Sequence, residues 1–117
     1  MGFKEDCQTL LDEYVLHYRA GNAEGCASVY APDAEMYSPF GPPAIGRASI
    51  ETMHHEWLRE DAQTKQIQVS SAKHSGDLGW CLARFSEAGA EHGTTLSVLA
   101  RQPDGRWLIT HSSLNEL

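Results

Sequence analysis

The sequence predicts a single α+β domain, because helical periodicity fills its first half and strand alternation with hairpin-spaced turn signals fills its second. Its 117 residues fall within the size of one domain, and 41% hydrophobic content is enough to build a core without metal or disulfide staples.

The first helix is read from Cys7, Leu10, Leu11, Tyr14, His17 and Tyr18, which form one stripe at helical spacing and stop at Gly21-Asn22. Asn22 suits the N-cap of a short second helix, Ala23 to Tyr30, that Pro32 closes. A short strand at Glu35-Met36-Tyr37 follows, then Ser38-Pro39-Phe40-Gly41-Pro42-Pro43, read as an irregular loop and a candidate pocket rim. A third helix from about Arg47 to Asp61 carries Ile50, Met53, His54, Trp57 and Leu58 on its inner face, with Glu51, His55 and Arg59 elsewhere. Four strands, roughly 66–74, 79–87, 93–101 and 106–113, are separated by Ser75-Gly76-Asp77, Glu87-Ala88-Gly89 and Pro103-Asp104-Gly105, as in an antiparallel meander. In the last of them Trp107, Ile109, His111 and Ser113 alternate onto one face, and in the strand before it Thr95, Ser97 and Leu99 do the same.

Composition removes several function classes. Nine basic against sixteen acidic side chains give a formal net charge of −7, which disfavours nucleic acid and anionic membrane surfaces as partners. No apolar run is long enough to cross a bilayer, and the start of the chain turns acidic where a signal peptide is apolar; the expected location is cytoplasmic. Cys7, Cys26 and Cys81 are widely spaced and odd in number, so buried free thiols are expected. None of the six histidines stands at the HxxxH spacing of a helical zinc site, and His54 and His55 point about 100° apart on a helix. Neither a metal nor another cofactor is expected.

The order of motifs resembles the nuclear transport factor 2-like superfamily. The resemblance rests on Ala20-Gly21-Asn22, Tyr30-Ala31-Pro32-Asp33-Ala34, the Ser-Pro-Phe-Gly-Pro loop, Gly46-Arg47-Ala48-Ser49-Ile50, Gly93-Thr94-Thr95 and Asp104-Gly105-Arg106-Trp107. It covers nearly the whole chain. It implies a cone-shaped curved antiparallel sheet wrapped around three N-terminal helices, enclosing one pocket, in a homodimer. The superfamily includes ketosteroid isomerases, SnoaL-like polyketide cyclases and kinase association (hub) domains.

In the isomerases a carboxylate base works with an oxyanion hole of a tyrosine and a protonated aspartic acid. By the resemblance, Tyr14 stands at that tyrosine, Ser38 at the base and Ser97 at the aspartic acid. Serine replaces neither carboxyl, which argues against steroid isomerisation. The residues point to a pocket for a small hydrophobic molecule, lined by Tyr14, Tyr18, Met36, Phe40, Met53 and Trp57, with His17, Ser38, His54 and Ser97 as polar groups. If catalytic, His17 or His54 would move a proton and Tyr14 would stabilise an oxyanion, with Glu35 the natural replacement base. The alternative is a non-catalytic assembly module acting through Trp107 and His111, in the Trp-x-x-x-His pattern that resembles hub-type members.

Overall fold

The computed structural model describes residues 2–58 and 62–116. Helix α1 (Phe3–Arg19) buries Cys7, Leu10, Leu11, Tyr14 and Tyr18, while Glu5 accepts from the Gly2 N–H (2.9 Å) and so caps the first turn. Asn22 caps α2 (Ala23–Ala27), its side-chain oxygen accepting from the Gly25 N–H at 3.0 Å. α2 is shorter than the pattern suggested. Its end leaves Tyr30 free to open strand β1 (Tyr30–Ser38), which runs through Pro32.

The loop expected at residues 38–43 shrinks to a turn, because Gly41–Ile45 form a second strand, β2. Pro42 and Pro43 fit there because β2 is an outer edge that pairs only with β1, and because they sit where the register shifts between Met36 and Ser38, outside the regular ladder. Helix α3 (Arg47–Trp57) starts after Gly46, whose φ of 90° suits glycine. Arg47 ties that start to β1 by donating twice to the Tyr30 carbonyl (3.0 and 2.6 Å). The expected extension of α3 to Asp61, including Arg59, lies outside the described residues.

A short 3-10 turn (Ala62–Thr64) leads into β3 (Gln66–Ser75), β4 (Leu78–Glu87), β5 (Ala90–Arg101) and β6 (Trp107–Glu116). Their antiparallel pairing is the expected meander, but β1 joins β6 in parallel, giving the order β2-β1-β6-β5-β4-β3. The sheet is therefore mostly antiparallel, curved and unclosed, with the helices against its concave face. Gln8 of α1 fixes one edge of it, donating to the Ile67 carbonyl (3.0 Å) and accepting from the Val69 N–H (2.7 Å).

One bulge changes the face assignments in β6. Val98 pairs with His111 and Leu99 with Ile109, so Thr110 is the extra residue and the alternation reverses across it. Ile109 is buried, but His111 and Ser113 are exposed and Ser112 is buried instead, which corrects the single face expected for Trp107 to Ser113. Trp107 is also occupied within the chain, against Phe3 and His74 (ring centroids 4.7 and 5.6 Å) and under the Arg101 guanidinium.

Candidate functional site

Between the helices and the concave face lies a cavity of about 30 Å3, room for little more than a water molecule. Its wall is mainly apolar, with Tyr14, Tyr30, Met36 and Ile109 among its members; the polar groups on it include Lys65, Thr95 and Ser97. Trp57 and Phe85 line this cavity and also a wider cleft of 680 Å3. The cleft opens past Tyr18, Phe40 and Met53 to an acidic rim of Glu56, Glu87 and Glu116, with His92 beside them. A narrow inner chamber thus sits behind a broad aromatic mouth.

Tyr14, on the chamber wall, forms a closed pair with His54 behind it. His54 is fully buried, its Nδ1 lies 2.8 Å from the Ile50 carbonyl, and its Nε2 lies 2.7 Å from the Tyr14 hydroxyl. A carbonyl only accepts, so Nδ1 carries the proton, Nε2 is the acceptor, and Tyr14 donates to it. Burial, opposed only in part by the hydrogen bond to Ile50, lowers the His54 pKa to about 4. Burial likewise holds the Tyr14 hydroxyl well above the usual phenol range. Both groups are neutral, with the Tyr14 proton spent on His54 and the His54 proton spent on the Ile50 carbonyl, so neither is offered to the chamber in the proton-transfer and oxyanion roles expected of them.

The remaining expected residues divide. Met36 and Ser97 face the chamber, while Tyr18, Met53, Phe40 and Trp57 form the mouth. His17 is set apart: its ring packs against Gly25, leaving no room for a Cβ there, and its Nδ1 is 3.4 Å from the Asn22 amide. Ser38 is spent on the β1–β2 turn, where its Oγ accepts from the Phe40 N–H at 3.2 Å. Glu35 points to the convex side, accepting from Tyr37 (2.7 Å) and approaching His111 (3.8 Å), so it is no base for this cavity.

The group that sequence reasoning missed is Lys65. Its side chain is 7% exposed, and its Nζ lies 3.2 Å from Glu87 and over the rings of Tyr18 and Phe85 (4.6 and 4.5 Å to the centroids). Tyr18 donates to the same Glu87 oxygen at 3.1 Å. Burial pulls the Lys65 pKa below the usual lysine value, and the Glu87 carboxylate works against that shift. The signal was strand parity: Lys65 shares its phase with Ile67 and Val69, as Glu87 does with Cys81, Ala83 and Phe85. Thr95 and Ser97, two positions apart on β5, are both buried on the chamber wall, and no protein group among the described residues hydrogen-bonds either hydroxyl.

The described residues contain no group of three or more histidine, cysteine, aspartate or glutamate side chains suited to a metal ion. Cys7, Cys26 and Cys81 are buried free thiols, as expected. Among the described residues no helix is long and apolar enough to cross a membrane.

The family model described as SnoaL-like domain matches residues 7–114. A putative calcium/calmodulin dependent protein kinase II association domain from Xanthomonas campestris superposes with a TM-score of 0.80 at 17% identity, covering 100% of this chain and 89% of that one. A ketosteroid isomerase-like protein from Erwinia carotovora atroseptica gives 0.74 at 12% identity, covering 94% and 92%. An NTF2-like protein with a cystatin-like fold from Novosphingobium aromaticivorans gives 0.73 at 19% identity, covering 97% and 80%. No curated protein gives a significant sequence match.

Proposed function

This chain belongs to the SnoaL-like domain family of the nuclear transport factor 2-like superfamily, and we propose that within it the chain binds an uncharged, hydrophobic carbonyl compound. The observation that carries this reading is the two-part cavity: a mainly apolar chamber with three polar side chains, Lys65, Thr95 and Ser97, on its wall, and an aromatic mouth that shares Trp57 and Phe85 with it. The 680 Å3 cleft is the right size for a small apolar molecule. The chamber takes only a head group, and the donors facing it, the Thr95 and Ser97 hydroxyls and the Lys65 ammonium, suit an oxygen acceptor. Charge selects a neutral one. The Lys65–Glu87 pair is already balanced, and a carboxylate ligand would have to pass Glu56, Glu87 and Glu116 and add an uncompensated negative charge.

Calorimetric titration with matched aromatic ketones and carboxylic acids tests the reading. Ketones bind and acids do not, and Trp57→Ala weakens the ketones roughly tenfold through lost apolar contact. Absence of ketone binding, or binding indifferent to Trp57→Ala, overturns it.

A second reading concerns assembly, and it has its own observation. Leu78, Trp80 and Leu96 are exposed on the convex face at 58%, 40% and 43%, where Trp80 pairs with Val98 and Leu82 with Leu96. With Trp107 occupied inside the chain, this apolar block, bordered by Lys73 opposite Trp80 and by His111 opposite Val98, takes the place of Trp107 in the surface on which two copies would meet. It is compatible with ligand binding, since it lies on the other side of the sheet.

A further inference from the structure

Lys65 has no structural need to be a lysine. An unbranched apolar side chain would fill the slot between Tyr18 and Phe85 without the cost of burying a charge, and a buried ion pair is weak evidence of added stability. The chain's other two lysines, Lys4 and Lys73, are exposed. Lys65 alone brings an amine to the chamber wall, 3.2 Å from a carboxylate that also lines the cleft and is 24% exposed. Beside it the hydroxyls of Thr95 and Ser97 face the same chamber without protein partners among the described residues. An electrophilic carbonyl carbon held by those hydroxyls through its oxygen would stand next to the amine.

We propose that Lys65 captures the carbonyl carbon of an aldehyde or ketone bound in this cavity as an imine. The proposal rests on the carbonyl-binding reading above and assigns a chemical step to it. The ammonium first passes one proton to the Glu87 carboxylate. The amine lone pair then forms the C–N bond as the carbonyl π bond breaks, and the oxygen takes the proton back from Glu87 to give a carbinolamine. Nitrogen pushes out that hydroxyl, which leaves as water with the second amine proton carried by Glu87, and the product is a protonated imine. One carbonyl compound and one ammonium become one iminium and one water, with no oxidant or reductant. The positive charge stays where the ammonium stood, between the faces of Tyr18 and Phe85, so the cation–π contacts survive the reaction. Glu87 lines the outer cleft, which gives the proton and the released water an exit.

Benzaldehyde with sodium cyanoborohydride, followed by peptide mapping, reads the imine directly as a benzylated lysine. Lys65 is labelled at least about tenfold faster than Lys4 or Lys73, as expected of an activated amine beside a base. Lys65→Arg, which keeps the cation and hence the fold, removes that adduct, and Glu87→Gln slows it about tenfold. Calorimetry with benzyl alcohol and acetophenone runs alongside. If acetophenone binds but Lys65 is labelled no faster than Lys4 and Lys73, the imine is overturned and the pocket stands. If neither compound binds and Lys65 is not favoured, the carbonyl-binding reading falls with it.

Discussion

A phenol and an imidazole that meet at 2.7 Å inside a protein invite a catalytic interpretation, yet the second nitrogen of His54 decides otherwise. Because Nδ1 donates to Ile50, the ring is a fixed neutral acceptor and Tyr14 a fixed donor. The pair is a satisfied core network whose energetic signature is a pH dependence. The folded pKa of about 4 lies below the ordinary histidine value of 6.5, so the unfolded chain binds more protons between those limits. Stability from this group is complete above pH 6.5 and is lost as the pH falls toward 4, by about 3 kcal/mol in all. Urea unfolding at pH 7 and pH 4.5 measures it. A Tyr14→Phe/His54→Leu double variant, which removes both polar partners together, is expected to show a shallower pH slope than the parent, and an unchanged slope would refute the assignment. The stripe spacing was enough to bring Tyr14 and His54 inward, whereas the direction of their protons depends on a carbonyl one turn back along α3 and had no trace in the pattern.

At the level of elements, local signals worked where pairing is local. The β3 to β6 meander was readable because hairpin turns join neighbours, and Gly76, Gly89 and Gly105 adopt the positive φ that such turns use. Tyr30 was read as helix because its strand partner, Ile109, is remote in sequence, and the parallel ladder that recruits it leaves no local period. Pro42 and Pro43 marked a loop for a similar reason, since only the sheet order reveals that β2 is an edge. Gly93 shows how tightly the β5–β6 ladder is fitted. It is buried opposite Glu116, and a Cβ there would run into the Asn115 backbone carbonyl. Gly93→Ala is therefore expected to cost about 1–3 kcal/mol in urea unfolding, because the obstacle is backbone rather than a flexible side-chain tip. Gly41→Ala, which meets open space at an ordinary φ, should change stability by less than about 0.5 kcal/mol. Equal costs at the two positions would contradict the close approach.

At the scale of the whole molecule, the two proposed tasks fall on the two faces of one sheet. The concave face carries Phe85, Thr95 and Ser97 toward the cavity, and the convex face carries Leu78, Trp80 and Leu96 toward solvent. A β-bulge at Thr110 lets β6 contribute Ile109 to the cavity yet turn His111 outward. On the outer face, apolar residues meet solvent in a chain whose formal charge is −7, and two such chains repel. Association must then come from contact rather than charge, and its salt dependence has a definite sign. Raising ionic strength screens the repulsion and leaves the apolar contact intact, so a dimer formed here tightens with salt, opposite to one held by ion pairs. Sedimentation equilibrium in low and high salt measures this. Trp80→Glu adds one more negative charge per chain at the centre of the block, so it should yield monomers in low salt while leaving ketone binding on the far side of the sheet unchanged. A dimer that survives Trp80→Glu, or that loosens with salt, would put the contact elsewhere. Loss of ketone binding in the monomer would instead mean that the cavity depends on the second copy, which the separation of the two faces argues against.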